Sequence, residues 1–178
     1  MKGIVFNLLE QAVVKKYGET VWDTLLDATA LSGSYTSLGS YPDEEIEKLV
    51  GAASAALEVP PADVLRWFGR EAMPMLAAHY PGFFSLHDNA RSFVMSVNSI
   101  IHPEVRKLYA GAGCPHFHFE EAPDGTLLMG YNSARRLCAL AHGFIEGAGD
   151  HYGQTMVVEH AQCMHKGDAN CMLSIRAH

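Results

Sequence analysis

The sequence predicts an α+β fold: a helical N-terminal part, about residues 1–60, packed on a part at about 61–178 that carries further helices and an antiparallel sheet. Two observations predict it. As far as Gly111, apolar residues recur at spacings of three and four, the helical period. Beyond Gly111-Ala112-Gly113-Cys114-Pro115, short segments bounded by turn residues take over. With 178 residues, 48% of them hydrophobic and 19% charged, the chain can bury one real core and a ligand. It has no repeat, low-complexity tract or linker, so a single domain over 1–178 is expected.

Each element follows from local pattern. Ile4, Val5, Leu8, Leu9, Ala12 and Val13 make the apolar face of a first helix, and Val21, Trp22, Leu25 and Leu26 that of a second. Ser32 to Ser40 is a loop. Tyr41-Pro42-Asp43-Glu44-Glu45 opens a third helix with acids at the positive end of its dipole. Pro60-Pro61-Ala62-Asp63 starts a fourth, with Val64, Leu65, Phe68, Ala72 and Leu76 on one face, and Pro74 is expected to bend or end it. A longer helix from about Asp88 reaches His102-Pro103, where the proline predicts a kink or restart. His116–Glu121 and Thr126–Tyr131 read as a hairpin around Pro123-Asp124-Gly125. Ser133 is positioned to cap a helix from Ala134 to about Ala148. Thr155–His160 and Met172–Arg176 read as two strands joined by the turn Lys166-Gly167-Asp168.

Composition narrows the function. A formal charge of −7 argues against nucleic acid and against an acidic membrane surface, both of which need a basic face. The start lacks the marks of a signal peptide, and no stretch approaches the roughly 20 apolar residues of a membrane helix. A cytoplasmic protein is expected, in which four cysteines are thiols or metal ligands before they are disulfides.

Tyr131-Asn132-Ser133-Ala134-Arg135 is the most informative segment. In an extended chain Tyr131, Ser133 and Arg135 share a face and offer two hydroxyls and a guanidinium fork, a set suited to carboxylates. Alone, the pattern better describes a strand end leading into a capped helix with a surface arginine. The segment resembles the propionate-binding motif of the H-NOX (haem nitric oxide/oxygen binding) family. Two further matches extend the resemblance along the chain: the opening Met1-Lys2-Gly3-Ile4-Val5-Phe6-Asn7-Leu8-Leu9-Glu10, and Ile101-His102-Pro103-Glu104-Val105 at the family's spacing before the motif. The resemblance implies a haem b lying between the two parts, with His102 as iron ligand and Pro115 packed against the macrocycle.

Where oxygen-binding members of the family carry a tyrosine over the iron, this sequence has Leu140, with Leu137, Ala141 and Phe144 on the same helical face. Val5, Leu9 and Met73 to Leu76 are expected to form the rest of that wall. A wall without a hydrogen-bond donor favours nitric oxide (and carbon monoxide) over dioxygen. The same residues also read as ordinary helical core.

A second constellation has metal spacing. His160-x-x-Cys163 is followed across a tight turn by Cys171, and Cys138 on the preceding helix completes a Cys₃His set suited to structural Zn²⁺. The order resembles the zinc site of a subset of bacterial H-NOX proteins. His165 is an alternative to His160, and free thiols or a Cys163–Cys171 disulfide are the other readings. Cys114 stands apart, and His116 and His118 read as exposed strand residues.

The resemblance spans the chain and implies a sensor, not an enzyme, acting on a separate histidine kinase or cyclic-di-GMP enzyme. It implies that NO weakens the hold of His102, so that the haem relaxes away from Pro115 and the helical part shifts. Two alternatives remain: a thiol/zinc redox sensor built on Cys138, His160, Cys163 and Cys171, and a haem enzyme of the peroxidase type.

Overall fold

The computed structural model describes all residues from Met1 to His178. Eight α-helices and a four-stranded antiparallel sheet confirm the α+β class. Helices α1 (Gly3–Tyr17), α2 (Glu19–Thr29), α3 (Asp43–Leu57) and α4 (Pro61–His79) come first. Their apolar faces close on one core made by Phe6, Leu9, Trp22, Ile46, Leu49 and Phe68. A short α5 (Pro81–Phe84) and α6 (Ala90–Met95) lead to a π-helix (Val97–Ile101) and α7 (His102–Leu108).

The hairpin β1 (His116–Glu121) and β2 (Leu127–Asn132), the helix α8 (Cys138–His151), and strands β3 (Met156–Gln162) and β4 (Cys171–Ala177) complete the chain. The sheet order is β1-β2-β4-β3. Leu127, Met129 and Tyr131 of β2 and Cys171, Leu173 and Ile175 of β4 are buried at every second position, so one sheet face packs a second core. α4 serves both cores: Val64, Phe68 and Ala72 enter the first and Met73 the second. A boundary at about residue 60 therefore falls just before a helix that both parts share.

α8 is the central element. It lies against α4 so closely that a Cβ on Gly143 would stand 2.0 Å from the Arg66 carbonyl oxygen. Only glycine permits that approach. Two bidentate ion pairs, Arg66–Glu146 and Arg70–Asp150, line the same crossing.

Three local expectations are resolved by the structure. Of the bend or end expected at Pro74, α4 does not end there but continues to His79, because packing on two cores outweighs one lost backbone hydrogen bond. The kink or restart expected at His102-Pro103 is present: the π-helix interrupts the helix and α7 restarts at His102, whose N–H donates to the carbonyl of Val97, five residues back. Pro103 has no N–H for Ser99 and its ring would crowd that carbonyl, so a widened turn relieves the clash. Finally, α8 begins at Cys138 and not at Ala134. Arg136 has φ of 52° and stops any helix from running through it.

Candidate functional site

A cavity of about 350 Å³ opens between the two cores, within the range of cofactor and ligand sites. Its lining is almost wholly apolar. α1 contributes Ile4, Val5 and Leu8; α4 contributes Met73 and Leu76; α8 contributes Leu140, Ala141, Phe144 and Ile145. The opposite wall carries His102, Pro115 and Phe117. Leu9, expected in the wall, is not among the lining residues and lies in the N-terminal core. Ile4, Val5 and Leu8 form one helical stripe, and Leu9, one residue on from Leu8, turns inward with Phe6 and Val13.

His102 is the one histidine in the lining. The π-helix delivers it at the start of α7, a distortion often found at functional sites. Asn98 secures that segment: its side chain donates to the Phe117 carbonyl at 2.5 Å and accepts from the Phe117 N–H at 3.1 Å. The ring of Phe117 stands 5.7 Å from that of His102. Burial, and then the nearby Arg106, push the His102 imidazole down to about 4, so it is neutral at pH 7. Its Nδ1 is buried without a partner. A neutral imidazole with an unspent nitrogen at the edge of a large apolar cavity is the ligand a haem iron requires.

The cavity also brings Tyr131, Ser133 and Arg135 together, although not through strand alternation, since β2 ends at Asn132 and a turn follows. The Tyr131 hydroxyl accepts the Leu137 N–H at 2.9 Å, and burial raises its pKa. Arg135 donates from Nε to Asp43 at 2.7 Å and from Nη1 to the Gly113 carbonyl. Asp43 also accepts from the Met1 amine. Burial pushes the Asp43 carboxyl up, but these two donors outweigh it and hold the group below its usual range.

A second cluster lies at the start of α8. The sulfurs of Cys138, Cys163 and Cys171, all buried, stand within 4.8 Å of one another, and Cys138 Sγ is 3.8 Å from Cys163 Sγ. Gly167, at φ of 98°, makes the tight turn that returns Cys171 toward Cys163. The Met164 N–H donates to Cys171 Sγ at 3.3 Å. Burial, and then the neighbouring thiols, push the Cys138 thiol strongly up, so thiolates here need a cation beside them. That donor set fits a soft metal ion. The expected fourth ligand is placed differently: His160 is not part of the trio, and its Nε2 lies 3.1 Å from Nδ1 of His142. His165 is also elsewhere, bonded to the Arg136 carbonyl at 2.7 Å.

A family model described as haem-NO-binding matches residues 2–160. The chain belongs to the H-NOX family of haem-binding gas sensors. An H-NOX protein from S. oneidensis, solved in its Fe(II)NO state, is 36% identical and superposes with a TM-score of 0.94 over 100% of this chain and 99% of that one. An unliganded Fe(II) H-NOX protein from K. algicida is 26% identical, with a TM-score of 0.86 over 100% of this chain and 97% of that one. The soluble guanylate cyclase gcy-34 of Caenorhabditis elegans is 25% identical over 76% of this chain but only 20% of its own length, so this H-NOX chain matches about a fifth of that relative.

Sequence reasoning missed several residues of this H-NOX site. Tyr80 and Tyr109 both line the cavity, from the C-terminal ends of α4 and α7, and their hydroxyls bond each other. Burial and this pairing raise the Tyr109 pKa. Asp43 and Asn98 carried no motif; the one available signal for Asn98 was a polar residue whose helical neighbours Val94 and Ile101 are apolar. His142 and Glu146, four residues apart on α8, are almost fully buried.

Proposed function

We propose that this H-NOX chain is a nitric oxide sensor, binding NO, and also CO, at a ferrous haem b ligated by His102. When bound, haem would supply a ferrous iron able to take up a diatomic gas. The observation that carries the reading is a contrast within the cavity lining: a neutral, partly orphaned imidazole from α7, against Val5, Met73, Leu76, Leu140 and Phe144 from α1, α4 and α8. None of these five side chains can donate a hydrogen bond, and the hydroxyls of Tyr80 and Tyr109 are engaged with each other; dioxygen depends on a donor more than NO does.

Tyr131, Ser133 and Arg135 would receive the haem carboxylates. Nε and Nη1 of Arg135 are occupied by Asp43 and Gly113, which leaves Nη2 for that purpose. Pro115, which lines the cavity with His102, would pack against the haem. His102 reports to the chain through α7 and the π-helix, and Arg135 reports to α3 through Asp43, so a change at the cavity reaches both parts. The output is regulation of a separate signalling protein, a histidine kinase or cyclic-di-GMP enzyme, as the family resemblance implies. A peroxidase-like activity is less well supported, because no carboxylate and no second histidine lines the cavity to move protons.

The visible spectrum of the reduced, haem-loaded protein under argon, air and NO tests this. A Soret band unmoved by air and shifted by NO to the five-coordinate nitrosyl form is expected. A stable oxygen complex would overturn the ligand assignment, and absence of a haem band would overturn the whole reading.

The cysteine cluster favours a second bound group. We read Cys138, Cys163 and Cys171 as three ligands of a structural Zn²⁺; His160, which lies outside the trio here, would close on the ion as the fourth through Nδ1, the nitrogen that His142 does not engage. Zinc would supply the positive charge that three buried thiolates need. Because thiolates are oxidisable, the site is also where a redox input would act.

A further inference from the structure

α8 sets Cys138, His142 and Glu146 four residues apart along one stripe. His142 is 7% exposed, and its Nδ1 faces Nε2 of His160 at 3.1 Å, a hydrogen-bonding distance. Its Nε2 is buried without a hydrogen bond and stands 3.6 Å from Glu146 Oε1. Glu146 in turn accepts from Nε and Nη2 of Arg66 on α4.

The order of these groups sets the positions of the protons. The Glu146 carboxylate only accepts, so the His142 nitrogen beside it, Nε2, is best served carrying hydrogen. A neutral His142 then has a bare Nδ1, which accepts from His160. His160 must therefore carry its hydrogen on Nε2, and its Nδ1 is left with a free lone pair. A metal ion requires that tautomer. Two imidazoles without the carboxylate would have no reason to choose it.

We infer that His142 is the positioning residue of the zinc site: it selects the His160 tautomer that ligates through Nδ1, with Glu146 and Arg66 fixing His142 in turn. The inference rests on the zinc reading above. Metal-bound histidines commonly give their second nitrogen to such a partner, whose loss weakens metal binding about 10- to 100-fold. The same groups lie along the contact with α4, through the Arg66–Glu146 pair, and Met73 and Leu76 of α4 line the gas cavity.

The test is zinc affinity of the haem-loaded full chain, by competition with a chromogenic chelator, with the Soret band and thermal unfolding followed in parallel. Wild type is expected to hold one zinc and Cys163→Ser to lose it. His142→Leu should weaken zinc by about 10- to 100-fold with the Soret band unchanged. His142→Asn, whose amide oxygen stands near the Nδ1 position and can accept from His160, should recover most of that loss. His142→Gln, whose acceptor lies farther out, should not. If Cys163→Ser loses zinc while His142→Leu binds it as wild type does, the relay is wrong and the zinc site stands. If wild type binds none, or Cys163→Ser binds it equally well, both fall. Should His142→Leu fail to fold, equal affinities for the Asn and Gln variants would overturn the tautomer argument.

Discussion

The two sides of α8 show opposite ways of using burial. One presents Leu140, Ala141, Phe144 and Ile145 to the cavity, without a single polar group. The other, one residue away at each step, carries Cys138, His142 and Glu146, each nearly buried and each facing a group from another element. The first side acts through what it withholds. The second must match almost every donor with an acceptor, because an unpaired polar atom away from water costs about 1–3 kcal/mol. One helix can carry both because consecutive residues point about 100° apart.

The largest expected effect lies across from the apolar side. His102→Gly removes the only imidazole in the cavity, and we expect nearly complete loss of the haem Soret band, restored by adding free imidazole during loading. Retention of a normal band without imidazole would show that another side chain holds the iron. If imidazole-loaded His102→Gly then left a partner kinase equally active with and without NO while wild type responded, the hold of His102 is the trigger; an unchanged NO response would place the trigger elsewhere.

Gly143→Ala attacks the spacing on which both sides depend. Its Cβ would meet the Arg66 carbonyl oxygen at 2.0 Å, so α4 and α8 must part. A loss of about 3 kcal/mol is expected, read by chemical denaturation. A loss under about 0.5 kcal/mol would mean that the helices separate freely and that the contrast between the two sides does not depend on close packing.

Leu140→Tyr sharpens the comparison by giving the apolar side one donor. A hydrogen bond is worth about 1 kcal/mol net, so a roughly fivefold gain in oxygen affinity is expected, visible as an oxygen complex in air-equilibrated reduced protein. If Tyr80→Phe with Tyr109→Phe, and not Leu140→Tyr, alters the response to air, the selectivity resides in that hydroxyl pair instead.

The smallest effect concerns the cavity rim. Asp43 has a folded-state pKa below its usual 3.8, so its tie to Arg135 is fully present above that value and is lost as pH falls through the folded one. Haem release from wild type should therefore quicken below about pH 4, while Asp43→Asn shows the faster rate already at neutral pH and less change in that window. With the carboxylate over a third exposed, the difference should not exceed about 1 kcal/mol.

Much of this was legible in one dimension, for reasons that differ by residue. His102 and the Tyr131, Ser133, Arg135 trio were readable because their spacing matches a family pattern. The trio's grouping was right although its stated route was not: Arg136, with its positive φ, replaces strand alternation by a turn. Leu9 was misplaced by one residue's rotation about the α1 axis. Asn98, Asp43 and the Tyr80–Tyr109 pair were invisible, since each works through a partner at least 19 residues away in sequence.

The sequence by itself determined the α+β class and the family, and it singled out the His102 imidazole and the three cysteines as candidates. These depend on periodicity, turn residues and local motifs, which act over a few residues. Only the tertiary structure decided which side chains finish in contact. It paired His160 with His142, gave Arg135 to Asp43, and carried α4 through Pro74. In each case the deciding energy is a contact between distant segments, and such contacts exist only once the two cores have closed around α4 and α8.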